Sequence, residues 1–292
     1  MNLIGSVNEI CLGSARLQRV ETDNKALGAW EIVAKAKFVE NRQRGQIIGR
    51  VLPGAVRLWL LTQMERVDSL VIDLEGRDRQ LISGYIPGVS ILAEGAVYKG
   101  LQLSQVRLTA ENIQINLGQV VRGKPLRLIK RFPVQGQVIL SNADVAASMS
   151  SPLLAVGLAD FWRSLIQLPA FFQAVEQRYG VRSLQLDTEL RQVQVELGDG
   201  CLALSFYPYS QGQTSEQPII LGAQLSVISG HYLQLASPHW LDNMAMLSDI
   251  TQGQPIAALS DFRWNLGEDT QLSQLDLQST QLACEGQVMV KP

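Results

Sequence analysis

Leu70-Val-Ile72-Asp-Leu74, Val89-Ser-Ile91, Leu101-Gln-Leu103, Val106-Arg-Leu108, Ile113-Gln-Ile115-Asn-Leu117 and Val138-Ile-Leu140 follow one another between residues 67 and 140, all with a period of two. Alternation at that period makes one face of each segment apolar, the signature of half-buried antiparallel strands. Glycines at 76, 84, 88, 95, 100, 118, 123 and 136 punctuate the run at turn or bulge spacing. No helical pattern separates the segments, so a parallel βαβ winding is not expected.

Upstream, the chain turns apolar from Ile47. Pro53 suits the first turn of a helix, and Val56, Leu58, Trp59, Leu60, Leu61 and Met64 leave only Arg57, Thr62 and Gln63 polar. A helix this apolar must be buried or held against something apolar. Residues 1–46 are mixed and weakly periodic, and read as an N-terminal extension ahead of a domain spanning 47–292. Downstream, Ser141-Asn-Ala-Asp144 is a helix start directly after a strand. Pro152 and Pro169 divide the helical region that follows, and Gly180 closes it. Strands return at Leu184-Gln-Leu186, Val193-Gln-Val195, Leu202-Ala-Leu204, Leu225-Ser-Val227 and Leu233-Gln-Leu235, then at Leu272, Leu275-Asp-Leu277 and Val288-Met-Val290. Helix, sheet, helices, sheet is an α+β order. Its simplest packing is one long, strongly curved antiparallel sheet wrapped around the apolar helices.

With 292 residues, 46% hydrophobic and 18% charged, the chain has enough apolar content for a substantial core and is no disordered polyelectrolyte. Its mean hydropathy of +0.07 is far below that of a polytopic membrane protein. The apolar, charge-free run 145–159 has 15 residues, short of the roughly 20 needed to span a bilayer. Residues 1–146 carry 19 Lys/Arg against 13 Asp/Glu, and the remainder 6 against 14. A pI near 5.8 argues against a general nucleic-acid binder, while the basic half suits a local anionic partner. Cysteines 11, 201 and 284 have no short spacing for a zinc knuckle or a redox pair, and suggest a reducing compartment. Met1-Asn-Leu-Ile-Gly-Ser-Val-Asn-Glu9 lacks a basic n-region and a long apolar run, so no secretory signal is expected. Together these features predict a cytoplasmic protein that touches a membrane without crossing it.

Catalytic chemistry is hard to assemble. His231 and His239 are eight residues apart with no carboxylate box, and read as structural or surface residues. Gly88-Val-Ser90-Ile-Leu92 has leucine where a nucleophile elbow needs glycine. Gly118-Gln-Val-Val-Arg-Gly123-Lys124 matches seven positions of a P-loop, but Pro125 replaces the hydroxyl that must hold Mg²⁺. No enzyme, cofactor or metal is expected. The same stretch keeps a plainer property, since Arg122, Lys124, Arg127, Lys130 and Arg131 place five cations within ten residues, interleaved with Leu126, Leu128, Ile129 and Phe132. They are candidates for headgroup contact on an anionic bilayer, where each such cation contributes about 1 kcal/mol. A solvated loop is the plain alternative. The helices between 151 and 180 offer more apolar surface than one helix face needs against a sheet. Leu154, Leu158, Phe161, Trp162, Leu165, Phe171 and Phe172, with Trp59, are candidates for the wall of an acyl-chain groove, against the plain alternative of ordinary core.

Several segments carry a resemblance. Trp59-Leu-Leu-Thr-Gln-Met64 is followed by Val67-Asp-Ser-Leu-Val-Ile72 and Asp78-Arg-Gln-Leu-Ile-Ser-Gly84-Tyr-Ile-Pro-Gly-Val-Ser90. Ala96-Val-Tyr98-Lys-Gly100-Leu-Gln-Leu-Ser-Gln105, Asn112-Ile-Gln-Ile-Asn-Leu117 and Gly123-Lys-Pro-Leu-Arg127 come next, then Leu272-Ser-Gln-Leu-Asp-Leu277 and Leu282-Ala-Cys-Glu-Gly286-Gln-Val288. Over about residues 47–292 this ordered series resembles the LmeA-like phospholipid-binding proteins, and in wording is most similar to their cyanobacterial members. The resemblance implies a module of the tubular lipid-binding (TULIP) type, a long curved sheet around a helix, that binds phospholipid. Two readings follow. The first is a non-enzymatic, membrane-peripheral phospholipid-binding protein, engaged in lipid transfer or membrane maintenance. The second is a scaffold or assembly factor whose apolar helices meet a protein partner, without lipid.

Overall fold

A computed structural model describes residues 54, 56–58, 60–120, 127–180, 188–210 and 213–292. The expected strand at 184–186 lies outside them. Residues 54, 56–58 and 60–63 are helical, as the apolar text predicts. The first strands are β1 (Ser69–Glu75), β2 (Tyr85–Tyr98), β3 (Leu101–Gln114) and β4 (Phe132–Ser141), with two short helices, α1 (Asp78–Ile82) and α2 (Leu117–Val120), in their connections. Three helices follow, α3 (Asn142–Ala147), α4 (Pro152–Ile166) and α5 (Pro169–Tyr179). The chain then forms β5 (Glu189–Leu197), β6 (Cys201–Ser210), β7 (Gln213–Thr214), β8 (Ile219–Ile228) and β9 (Tyr232–Trp240). A 3₁₀ segment at Met244–Gln252 precedes β10 (Gln254–Pro255), β11 (Arg263–Asn265), β12 (Thr270–Leu277) and β13 (Gln281–Val290).

The protein is α+β and its strands pair antiparallel, as expected. They are distributed over two sheets where the periodicity suggested one long sheet. The first sheet runs β1-β2-β3-β4-β13-β12; the second runs β10-β9-β8-β6-β5, with β7 on β6 and β11 on β9. Alternation specifies the faces of a strand but not its neighbour, so the return of β13 to β4 across more than 130 residues of chain has no local signal.

The helix boundaries follow local chemistry. Ser141 caps α3: its Oγ accepts from the Asp144 N–H at 3.1 Å, and the Asp144 carboxylate accepts from the Ser141 N–H at 2.9 Å. The Ser104 hydroxyl of β3 donates to the same carboxylate. Burial pushes the Asp144 carboxyl upward, but the bonds from Ser104 and Ser141, with Arg66 nearby, outweigh it and hold the group below its ordinary value. A carboxylate depressed in the folded state stabilises above its unfolded pKa and loses that contribution as pH falls through its folded pKa. Ser141→Ala should therefore cost about 1 kcal/mol at neutral pH. Asp144→Asn should also destabilise at pH 7, and its deficit should shrink as pH falls below the ordinary carboxylate pKa of about 4, where the unfolded chain takes up the proton before the folded one does. Urea melts of both variants at pH 7 and pH 3 check this; an Asp144→Asn deficit independent of pH would contradict it.

Pro152 and Pro169 open α4 and α5, and Gly180 ends α5 in the left-handed conformation. Two buried serines fix the start of α4 on the first sheet. Ser148 Oγ accepts from the Gln102 N–H at 2.8 Å, and Ser151 Oγ donates to the Lys99 carbonyl at 2.9 Å. The β2–β3 turn comes so close that a Cβ on Gly100, whose φ is +78°, would sit 3.2 Å from the Ser151 Cα.

The second sheet is covered on both faces. Leu204, Phe206, Ile219, Leu221, Leu235 and Trp240 pack against Trp162, Leu165, Ile166, Phe171 and Val175 of α4 and α5. Cys201, Ala203 and Ile220, on the opposite face, pack under Leu241, Leu247 and Ile250. A strand reading Cys201-Leu-Ala-Leu-Ser-Phe206 suits this position, since a strand covered on both sides has no need of polar alternation.

Candidate functional site

The first sheet is built differently. Residues paired directly across antiparallel strands share a face, so the register gives its two surfaces row by row. One row is Leu70, Ala93, Val106, Val138, Cys284 and Leu275; the next on the same face is Ile72, Ile91, Leu108, Gly136, Gly286 and Leu272. The row between them, on the opposite face, is Val71, Leu92, Arg107, Gln137, Glu285 and Gln274. The inner face is thus apolar across all six strands, and the outer face is largely polar. Leu272 and Leu275 are three residues apart and would point oppositely in a regular strand. A register shift between Leu272 and Gln274 inserts Ser273 and brings both leucines to the inner face.

Cover on this inner face is uneven. From the helical residues 54, 56–58 and 60–63 and those just after them, Leu60 and Met64 pack on Leu70, Ala93 and Ala96, while Val56 joins the cluster of Leu81, Ile86, Ala110 and Val134. The apolar helix therefore lies over β1–β3. At one end of β4 and β13, Leu140, Leu282 and Leu277 meet Leu197, Leu202 and Leu225 of the second sheet under Val145 of α3. Between these two covers, Val138, Leu272, Leu275 and Val288 are half-exposed and belong to none of the buried clusters among the described residues. They form an apolar strip on β4, β13 and β12. Cys284 lies in the same strip, and burial pushes its thiol above the ordinary value, against a bond to the Val138 backbone that lowers it. The strip adjoins the second sheet, because the Leu272 N–H donates to the Gly230 carbonyl at 2.8 Å in the β8–β9 turn. Beyond that turn, half-buried Trp264 pairs with Leu233 and meets Phe161 of α4 edge-on at 5.5 Å.

The residues expected to wall a groove separate into two groups. Trp162, Leu165 and Phe171 are core: Trp162 is 2% exposed, Leu165 and Phe171 0%. Trp162 meets Phe206 at 4.8 Å, and Phe171 stacks on Trp240 at 5.5 Å. They face the second sheet, which absorbs the apolar surface that looked surplus in sequence. Leu154, Leu158, Phe161 and Phe172 are half-buried on α4 and α5, and of these Leu158, Phe161 and Phe172 pack against the same core. Trp59 lies outside the described residues. The strip on β4, β13 and β12 was not singled out from the sequence; its signal was the alternation itself, carried by Val138 and by Leu272, Leu275 and Val288.

Arg127, Lys130 and Arg131 are all exposed, at the end of the first sheet where β4 begins. Arg122 and Lys124 lie outside the described residues, as does most of the P-loop-like text. His231 Nδ1 pairs with the Thr270 carbonyl at 2.7 Å and His239 Nδ1 with its neighbour Ser237's at 2.7 Å, both structural contacts. Among the described residues no group of three or more His, Cys, Asp or Glu is placed to hold a metal. No single helix there is long and apolar enough to cross a membrane; 142–150 and 152–166 qualify only as a pair, bent by 87°.

The first sheet thus carries an apolar face that is covered over β1–β3 and only half-buried over β4, β13 and β12. The chain belongs to the LmeA-like phospholipid-binding family, which it matches over residues 44–287. It is therefore a member of a lipid-binding family. No curated protein and no solved structure matches it.

Proposed function

We propose that this protein, through its domain at 47–292, binds phospholipid without catalysing a reaction on it. The acyl chains lie against the strip of Val138, Cys284, Leu275 and Leu272, with Leu154, Leu158 and Phe161 of α4 extending the apolar surface. The observation that supports this most is the apolar inner face of the first sheet, whose part on β4, β13 and β12 is only half-buried and joins none of the buried clusters among the described residues. Arg127, Lys130 and Arg131 serve as headgroup contacts, so the protein is peripheral to an anionic membrane and moves or stores lipid there.

Native mass spectrometry of the freshly purified full chain tests the reading, combined with lipid uptake from phospholipid vesicles after extraction. Bound phospholipid is expected in the purified chain, and the extracted chain should take it up again from the vesicles. A chain that carries no lipid and takes none up would reject it and favour a scaffold whose apolar surfaces meet protein.

A further inference from the structure

At the end of the first sheet where β1 passes to β2 and β3 to β4, two connections meet over one core. Leu81 of α1 and Leu128 are both buried in the same cluster with Ile86 and Phe132. Backbone bonds hold residues 127–129 antiparallel to 114–116: the Ile129 N–H donates to the Gln114 carbonyl at 2.8 Å and the Asn116 N–H to that of Arg127 at 3.1 Å. With Leu128 turned inward, Arg127 and Ile129 are turned out, and Ile129 is 55% exposed. On α1 the inward turn of Leu81 leaves Ile82 42% exposed. Arg77, Arg79, Arg127, Lys130 and Arg131 are all exposed around this pair of isoleucines, and among the described residues no ion pair engages any of them. The nearby carboxylates count for less. Glu75 and Glu111 face Gly88 on the outer side of the sheet, Asp78 is half-buried, and Asp269 is paired with Lys291.

We propose that this composite end, built from α1 and the 127–131 segment together, is the surface by which the protein docks on an anionic bilayer. It rests on the phospholipid-binding reading above and adds a second contact, an inserting pair and an orientation. Ile82 and Ile129 enter the boundary between headgroups and acyl chains, while the five cations meet phosphates. Unpaired cations alone would suit any polyanion; two exposed isoleucines in their midst suit a surface with an apolar layer under its charge. Docked this way, the strands stand on the membrane, and the apolar strip begins just beyond the headgroups where β4 and β13 meet the bilayer end.

The test uses the full chain, flotation with vesicles of phosphatidylcholine alone or with 30% phosphatidylglycerol, and bound lipid measured on the same samples. Arg77→Gln with Arg79→Gln should weaken binding to the anionic vesicles about thirtyfold, as should Lys130→Gln with Arg131→Gln, since each pair removes two cations from one surface. Ile82→Ser with Ile129→Ser should weaken it severalfold. Val156→Ser with Val71→Ser, equally exposed apolar positions elsewhere, should leave it unchanged. Thermal melting of each variant confirms that it folds, and co-purified lipid should stay at the parent's level. Binding that survives the α1 pair or the isoleucine pair, or falls equally with the Val156/Val71 pair, overturns the docking surface. A parent that floats with neither vesicle overturns it too. Because lipid content is read separately, none of these results bears on the strip as the lipid site, and an empty strip is reported only by the lipid measurement.

Discussion

Replacing Phe171 by alanine should remove about 3–5 kcal/mol of stability, the cost of a buried aromatic when both its transfer energy and the cavity left behind are counted. Its environment justifies the upper part of that range. The ring is wholly enclosed, stacks on Trp240 with an interplanar angle of 20° and meets Trp162 edge-on at 6.0 Å. The cavity would open between α5 and the second sheet, where Trp162, Phe206 and Trp240 are themselves locked by one another and collapse poorly. Domains of this size are stable by about 5–15 kcal/mol, so one substitution removes a third or more of the margin. The midpoint of thermal melting should fall by about 10 °C or more. Phe172→Ala, one residue on and half-buried, should cost clearly less. Chemical denaturation of the two variants checks this, and a loss below about 1.5 kcal/mol for Phe171→Ala would mean that the helices do not pack on the sheet as described.

The contrast between neighbours such as Phe171 and Phe172 shows what the sequence could and could not tell. Its period of two marked the strands, and Ser141, Pro152, Pro169 and Gly180 marked the helix ends, because all these signals act within a few residues. The density of apolar residues between 151 and 180 was equally legible, but its meaning was not. Whether Trp162 is core or groove wall depends on what lies opposite, and that is supplied by Phe206 and Trp240, 44 and 78 positions further along. The strip was hidden for the complementary reason. Val138 and Leu275 look like the inward residues of any half-buried strand, and only the pairing of β13 with β4 and β12 shows that the cover ends before it reaches them. A residue's exposure is a property of the assembled layers; its polarity is a property of the text.

That difference supplies the other large effect. Val138→Asn combined with Leu275→Asn should weaken phospholipid retention by about a hundredfold, since an unpartnered amide facing an acyl chain costs about 1–3 kcal/mol per site. The same pair should lower the stability of the lipid-free protein by only about 1–2 kcal/mol, because a half-exposed side chain gives up only part of the roughly 1.5–3 kcal/mol that full burial contributes, and the amide meets water on its open side. Arg107→Gln, in the row between theirs but on the outer face, should change neither quantity. Phe171→Ala behaves in the opposite sense, with a large loss of stability and, in the fraction that remains folded, little loss of lipid. Lipid content by native mass spectrometry and stability by urea melts, measured on both sets, therefore place the ligand. If the Val138/Leu275 pair retains lipid like the parent, the acyl chains do not lie on the first sheet. If it unfolds as readily as Phe171→Ala, the strip is packed core and holds no ligand.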